Sequence, residues 1–308
     1  MGIQMFNGWY FFTLIICIGL FLLLFFILRK KSQKTQKIVL FSILLIGLIL
    51  HFLKVFIPPY STDEGRLLRD SWFINICGAN IFLYPFFFLS KSKSAKDYMF
   101  YLGIFGGLFA LLYPMEPMAK VNQSAEWLDI ARFYYHHLSL FAVPMLMVLF
   151  KLHTLSYKRV FATPTYLLVI MLFIMINQVL QSELGFINLR GDDIFNINYK
   201  NSSMIWGPSG AIGDFLAIFC PSFFKTIPVG TYAGEAKFWP WFWLIFPAYI
   251  LLTPAAFLIC LIFDYKNFII DMKNLNTKIK TSIAQKKSNK SQTEDKQMSI
   301  IRKVLRNK

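Results

Sequence analysis

Charged side chains and cysteines are scarce in this chain of 308 residues. Charged residues account for 16% of the sequence and apolar residues for 56%, so there are too few charges to cover the surface of a soluble protein of this length. Cys17, Cys77 and Cys260 lie in separate apolar stretches and only Cys220 lies in a loop, which indicates free thiols and not a disulfide framework. No basic segment precedes the first apolar stretch, so we expect an uncleaved membrane anchor there. These absences indicate an integral membrane protein.

The sequence contains several long apolar stretches. A helix needs about 20 apolar residues to cross a hydrocarbon core about 30 Å thick. Seven stretches meet or approach this requirement: 8–28, 38–57, 71–90, 98–115, 131–150, 160–180 and 238–263. We therefore predict an all-α, polytopic fold with seven transmembrane helices in residues 1–263, a long loop at 181–237 and a basic tail at 264–308.

The placement of lysine and arginine predicts the orientation of these helices. The loops 29–37, 91–97 and 151–159, together with the tail, hold 23 of the 32 basic residues. Because basic residues accumulate on the cytoplasmic side, we predict a multi-pass protein of the cell membrane with its N-terminus outside and its tail inside. His153, in the third loop, is predicted to be an exposed surface residue. The net charge of +16 needs no nucleic-acid partner, since no recognition motif accompanies it.

Several polar side chains in the predicted spans share one depth. At about 1.5 Å of rise per helical residue, three histidines and one cysteine lie about 8–9 Å from the outer boundary: His51, Cys77, His136 and His137. Four amides fall near the same layer: Asn75, Asn80, Asn177 and Gln178. Polar groups in a bilayer are costly and tend to face a bundle interior or a wet cavity, so we predict one cavity that binds a substrate through these residues. The alternative is hydrogen bonding from helix to helix.

Cysteine and histidine at equal depth also form a candidate catalytic pair. A buried thiol needs a partner that removes its proton before it can act as a nucleophile, and His136 or His137 meets that need for Cys77. Attack on a fatty-acyl ester would form a thioester at Cys77, which water or a lipid hydroxyl would then cleave. Asn75 or Asn80 could stabilise the oxyanion. We predict no metal site and no cofactor.

The loop at 181–237 is too long to be a simple connection. Its apolar residues near Gly213, such as Phe215 and Leu216, predict a short interfacial helix that is either a lid over the cavity or a membrane anchor. Three tryptophans follow the loop at positions 239, 241 and 243 and predict an aromatic belt at the membrane interface.

The order of these markers resembles that of the YwaF-type bacterial membrane proteins. The resemblance covers about residues 38–263 and rests on the segment 72–85 around Cys77, the histidine pair followed by Pro144, the asparagine-rich stretch 196–201 and the tryptophans at 239–243. That family is similar to an animal transmembrane acyltransferase that acts on ether phospholipids with a cysteine active site. The resemblance implies that Cys77 is a nucleophile and that His137 or His136 is its partner. The longer loop at 181–237 departs from the family pattern.

A function of another class is also consistent with a polar cavity. A non-enzymatic transporter or binding protein for lipids or small molecules would use the same layer as its binding site. Prolines at positions 85, 114, 144 and 247 interrupt the predicted spans and would permit helix motion. In both cases the predicted partners are membrane lipids, and the sequence gives no indication of the oligomeric state.

Overall fold

A computed structural model describes residues 2–63, 67, 72–120, 123–186, 203–225 and 237–306 of the protein, with side chains up to residue 286. All regular structure in these residues is helical. The helices are α1 (Gly8–Leu28), α2 (Gln33–Leu53), α3 (Ile76–Leu89), α4 (Lys93–Leu102), α5 (Phe109–Leu112), α6 (Met115–Met118), α7 (Trp127–Leu149), α8 (Ala162–Glu183), α9 (Gly210–Ala217), α10 (Ile245–Pro247) and α11 (Thr253–Arg306). Two π-helical segments, Gly103–Leu108 and Ala248–Leu252, join α4 to α5 and α10 to α11.

The chain divides into two compact units, Met1–Leu258 and Ile259–Lys308. The first unit contains all helices from α1 to α10. The second unit is the distal part of α11, whose backbone departs from helical geometry at Asp264 (φ −124°, ψ 16°).

Five helical stretches in the described residues are long and apolar enough to cross a membrane: Gly8–Leu28, Gln33–Phe56, Lys93–Met118, Tyr157–Glu183 and Phe242–Lys286. Helix α3 is apolar but has only 14 residues. Helix α7 has 23 residues, but an aspartate, an arginine and two histidines reduce its apolar character. The all-α, multi-pass fold class is therefore confirmed, whereas the count of seven crossings and their orientation stay predictions.

Side-chain caps determine where several of these helices begin. The side chains of Asn7, Ser32, Asn75 and Ser92 each accept a hydrogen bond from a backbone N–H three residues later, at 2.7–3.2 Å. Such caps satisfy an N–H group that has no partner within the helix. Asn75 therefore starts α3 at Ile76, and residues 72–75 are not helical although the apolar pattern predicted a span from residue 71.

Helix α7 packs against α1, α2, α3, α4 and the π-helical segment Gly103–Leu108. Two glycines permit the closest of these contacts. A Cβ atom built on Gly103 would lie 2.6 Å from the Leu140 carbonyl oxygen, and one built on Gly107 would lie 2.9 Å from the His137 carbonyl oxygen. Only residues without a side chain allow this approach, so the glycines determine how near α7 lies to the π-helical segment.

A buried ionic cluster joins α4 to the loop after α7. Asp97 is fully buried and accepts hydrogen bonds from His153 Nε2 at 2.6 Å and from Arg159 Nε at 2.6 Å. Arg159 also donates to the Thr154 carbonyl at 2.7 Å. The prediction that His153 is a surface residue is wrong, because the Asp97 carboxylate draws its ring into the protein, where it is 7% exposed.

The chain segment around α9 packs on α8 and on the start of the last apolar stretch. The predicted short helix near Gly213 is present as α9. Trp243 is fully buried and donates from Nε1 to the Met204 carbonyl at 2.8 Å, and Trp206 donates to Gln178 Oε1 at 2.7 Å. Trp243 is therefore a buried packing residue and not a member of an interfacial belt, because its indole N–H finds its partner inside the protein.

Candidate functional site

One large cavity opens into the first unit, with a volume of about 1490 Å³. Its polar interior contains His51 from α2, Cys77 from α3, and His136 and His137 from α7. Aromatic and aliphatic side chains form its apolar walls: Phe105, Phe109, Ala110, Tyr113, Ile212, Phe215 and Leu216. Six charged residues also line the cavity, and we call this group the charged rim: Lys54, Asp63, Glu116, Lys120, Glu126 and Arg132. The lining of the cavity is thus amphipathic, with charged, polar and apolar side chains.

Cys77 lies in the first turn of α3. Asn75 caps this helix, and its Oδ1 accepts a hydrogen bond from the Gly78 N–H at 2.7 Å. The first hydrogen bond of the helix runs from the Ala79 N–H to the Asn75 carbonyl at 3.0 Å, which leaves the Cys77 N–H without a partner inside the helix. The N-terminal end of a helix carries partial positive charge, so a negative charge that develops beside Cys77 is stabilised there.

The hydrogen bond of His137 determines which of its nitrogens can act as a base. Nδ1 lies 2.8 Å from the Phe133 carbonyl oxygen, which only accepts hydrogen bonds. Nδ1 therefore carries the proton in the neutral ring, and Nε2 has the free lone pair. The ring also packs on Phe133, with 4.1 Å between the centroids. His137 is thus held with a basic nitrogen available to the cavity.

The neighbouring His136 has the opposite arrangement. Its Nδ1 lies 3.1 Å from Nη1 of Arg132. Because a guanidinium only donates, Nδ1 must accept, and the proton of the neutral ring resides on Nε2. The ring is 5% exposed, and Nε2 forms no hydrogen bond within the described part of the chain, although the Gly47 carbonyl interacts with the ring. Of these two consecutive residues of α7, His137 therefore offers a basic nitrogen and His136 a hydrogen-bond donor.

His51 lies near both Gly78 and His136. Its Cε1 would lie 3.6 Å from a Cβ atom built on Gly78, next to Cys77, and its ring centroid is 6.3 Å from that of His136. The ring stacks on Phe73 at a centroid distance of 6.1 Å. It is 3% exposed, and its Nε2 has no hydrogen-bond partner among the described residues.

An ionic network at the rim holds Arg132 in place. Asp129 is fully buried and accepts hydrogen bonds from Arg132 Nε at 2.7 Å and from Lys120 Nζ at 2.6 Å. Lys120 also donates to Glu126 at 2.8 Å, and Arg132 donates to the Tyr60 hydroxyl at 3.3 Å. Burial opposes the charge on Lys120, but the hydrogen bonds to Asp129 and Glu126 raise its pKa above the usual value. The hydrogen bonds to Asp129 and Tyr60 give Arg132 a fixed position beside His136.

A family model matches residues 3–260, which include every residue of the cavity. The chain belongs to the TMEM164 family. No curated protein and no solved structure matches this member of the family. The TMEM164 assignment agrees with a multi-pass membrane protein.

The structure of this TMEM164 family member brings together some of the predicted site residues and separates others. His51, Asn75, Cys77, His136 and His137 all line the cavity. Three amides do not lie among its lining residues in the described part of the chain: Asn80, Asn177 and Gln178. Asn80 accepts a hydrogen bond from the Tyr98 hydroxyl at 2.9 Å, and Gln178 accepts one from Trp206, so both join helices or segments to one another.

The charged rim was not predicted from the sequence. Asp129 lies just before the predicted fifth span and Arg132 lies in its first turn, and a charge pair so close to two histidines was the available signal. Within the described residues, no group of three or more His, Cys, Asp and Glu side chains is placed to hold a metal ion. The cavity lining includes one thiol and three imidazoles, which are groups able to act as a nucleophile and as acids or bases.

Proposed function

We propose that this TMEM164 family member transfers or hydrolyses acyl groups of membrane lipids through a thioester at Cys77. The observation that carries the proposal is that Cys77 lies in the first turn of α3 and shares a cavity with His137, whose Nδ1–H donates to the Phe133 carbonyl and leaves Nε2 basic. The resemblance of the segment 72–85 to the YwaF-type proteins, a family that is similar to a cysteine-dependent animal acyltransferase, supports the same chemistry. His137, and not His136, is the proposed base.

The reaction proceeds in two half-reactions with balanced proton transfers. His137 Nε2 takes the proton of the Cys77 thiol, and the thiolate attacks the carbonyl carbon of an acyl ester. The ester C–O bond breaks, and the departing oxygen receives the proton from His137. Water or a lipid hydroxyl then gives its proton to His137 and attacks the thioester carbonyl. The released Cys77 thiolate recovers that proton, and the acyl group leaves as a free acid or a new ester.

The shape and polarity of the cavity suit a lipid. Phe105 and Phe109, together with Ile212 and Phe215 of α9, offer apolar surface for an acyl chain. Ile212 and Phe215 are 62% and 52% exposed, so α9 also presents apolar side chains outward, as expected for a helix at a membrane interface. His51 and Asn75 are the proposed substrate-binding residues beside Cys77. We assign a packing role to Asn80 and Gln178.

Intact-mass analysis of the purified protein tests the thioester. The protein is mixed with a defined set of phospholipids, and acyl groups that hydroxylamine releases are measured on the wild type, Cys77→Ser and His137→Ala. Cys220→Ser is the matched control, because Cys220 is a free cysteine of the same unit and does not line the cavity. We expect acylation of the wild type and the control, none of Cys77→Ser, and at least about tenfold slower acylation of His137→Ala, since general-base assistance contributes about 10²–10⁴ in rate.

The cavity also suits the alternative function of a lipid or small-molecule transporter. A transporter would bind its cargo in the same space without covalent chemistry. If the wild type forms no thioester with any lipid offered, while transport of lipid or solute survives Cys77→Ser, the enzyme proposal is wrong and the transporter takes its place.

A further inference from the structure

We infer that His136 is a second catalytic histidine, which donates a hydrogen bond from Nε2–H to the substrate carbonyl oxygen as that oxygen becomes an oxyanion. This inference rests on the proposed thioester chemistry at Cys77 and adds a group with a distinct role. His136 does not remove a proton. It stabilises the negative charge that appears on oxygen when the thiolate attacks.

The hydrogen bond from Arg132 makes His136 a donor. Arg132 Nη1 lies 3.1 Å from His136 Nδ1 and can only donate, so the ring proton is on Nε2. Asp129 and the Tyr60 hydroxyl hold the guanidinium in this position. Arg132 is therefore a positioning residue that acts through the tautomer of His136. A ring with this tautomer has no free lone pair at Nε2 and cannot serve as the base.

The Nε2–H of His136 is a buried donor that completes no hydrogen bond within the described residues, although the Gly47 carbonyl interacts with the ring. The side chain is 5% exposed and lines the cavity. Buried polar groups in proteins are nearly always hydrogen-bonded, so an unsatisfied one needs an explanation, and a catalytic role is one. An acceptor oxygen of the substrate would satisfy it.

A second donor lies at the start of α3. The Cys77 N–H has no acceptor within the helix, because the Gly78 N–H uses the Asn75 side chain and the Ala79 N–H uses the Asn75 carbonyl. His51 packs against Gly78 and lies 6.3 Å from the His136 ring, so the first turn of α3 and the two imidazoles face the same space. A backbone N–H of the nucleophile together with a side-chain donor is a common form of oxyanion-binding site.

The test compares substitutions that keep or remove the donor. In His136→Gln the side-chain amide replaces Nε2–H, whereas His136→Leu keeps the approximate volume and removes the donor. Ser139→Ala is the matched control, because Ser139 is a buried polar residue of the same helix whose hydroxyl donates to the His136 carbonyl and does not line the cavity. The acylation rate of Cys77 is measured in single turnover with a short-chain fatty-acyl p-nitrophenyl ester, across pH, along with the apparent affinity for the ester.

We expect His136→Leu to acylate about 10²–10³-fold more slowly, the effect of removing one oxyanion donor, with the affinity and the pH profile unchanged. His136→Gln should stay within about tenfold of the wild type, and Ser139→Ala should match it. The corresponding thionoester gives an independent measure, because its sulfur is a weak acceptor. The wild type should discriminate strongly against it, and His136→Leu should lose most of this discrimination.

The outcomes separate this inference from the proposed function. If the wild type forms no thioester with the ester, the proposed function has failed. If the wild type forms one and His136→Leu forms it equally fast, only the inference is overturned. Equal loss in the Leu and Gln variants, together with a changed pH profile, also overturns it, because His136 would then be the base. Thermal melting of His136→Gln shows whether the fold is retained.

Discussion

Replacement of Gly107 by alanine tests whether close helix contact determines the position of the histidines. The new methyl group would lie 2.9 Å from the His137 carbonyl oxygen and 3.0 Å from the Phe141 nitrogen. Both are backbone atoms of α7, so they cannot rotate away as a side chain can. Helix α7 must then move from the π-helical segment, and His137 moves with it.

The expected size of the effect follows from a comparison with Gly106. A Cβ atom on Gly106 meets nothing within 4 Å, so Gly106→Ala gains only the backbone term of replacing a helical glycine, about 0.5–1 kcal/mol. Gly107→Ala gains the same term and loses about 1–3 kcal/mol through overpacking. The free energy of unfolding should therefore be about 1–3 kcal/mol lower for Gly107→Ala than for Gly106→Ala. Gly103→Ala should be worse, since its methyl group would lie 2.6 Å from the Leu140 carbonyl oxygen.

Equilibrium unfolding of the purified variants in mixed detergent and SDS measures this difference. The two substitutions have the same chemistry and lie next to each other, so effects on the unfolded chain cancel between them. If Gly103→Ala and Gly107→Ala are as stable as Gly106→Ala, the contact between the π-helical segment and α7 is looser than described. These glycines would then not determine the position of His137.

Three further measurements test other parts of the structure. Asp97→Asn should lower the free energy of unfolding by about 3 kcal/mol, because His153 loses its buried charged partner. Tyr98→Phe should lower the free energy of unfolding by about 1–3 kcal/mol, because the Asn80 Oδ1 is left without its donor. Equilibrium unfolding curves measure both variants. A variant that is as stable as the wild type would contradict the contact that it removes. Impermeant thiol reagents should label a cysteine at position 192 in intact cells and one at position 288 only after permeabilisation; labelling on the same side would contradict the seven-span topology.

The helical fold could be predicted from the sequence, because the length of the apolar stretches is enough to indicate membrane-spanning helices. The stretch 8–28 coincides with α1, since a long apolar run and the Asn7 cap leave little choice of boundary. The start of α3 was not predictable in the same way. Residues 72–74 are Trp, Phe and Ile, which are apolar like most of the helix that follows, and the Asn75 cap marks the boundary.

Depth along the predicted helices was enough to group His51, Cys77, His136 and His137, but not to tell what each does. The roles of the two neighbouring histidines depend on their Nδ1 contacts, which are the Phe133 carbonyl for His137 and the Arg132 guanidinium for His136. These contacts are not visible in the sequence. The same limit applies to His153. Its contact with Asp97 joins residues 56 positions apart, and local sequence contains no sign of it.

The π-helical segment Gly103–Leu108 has a consequence for the phase of the helix in which it lies. A π turn holds about one residue more than an α turn, so the residues before and after it are out of step by about 100°. Gly103 and Gly107 face α7, and Phe105 and Phe109 line the cavity. A chain with one residue fewer here would form an unbroken helix of similar composition, in which Phe109 and the residues after it are rotated by about 100° relative to α4. The length of this segment therefore matters as much as its residue types.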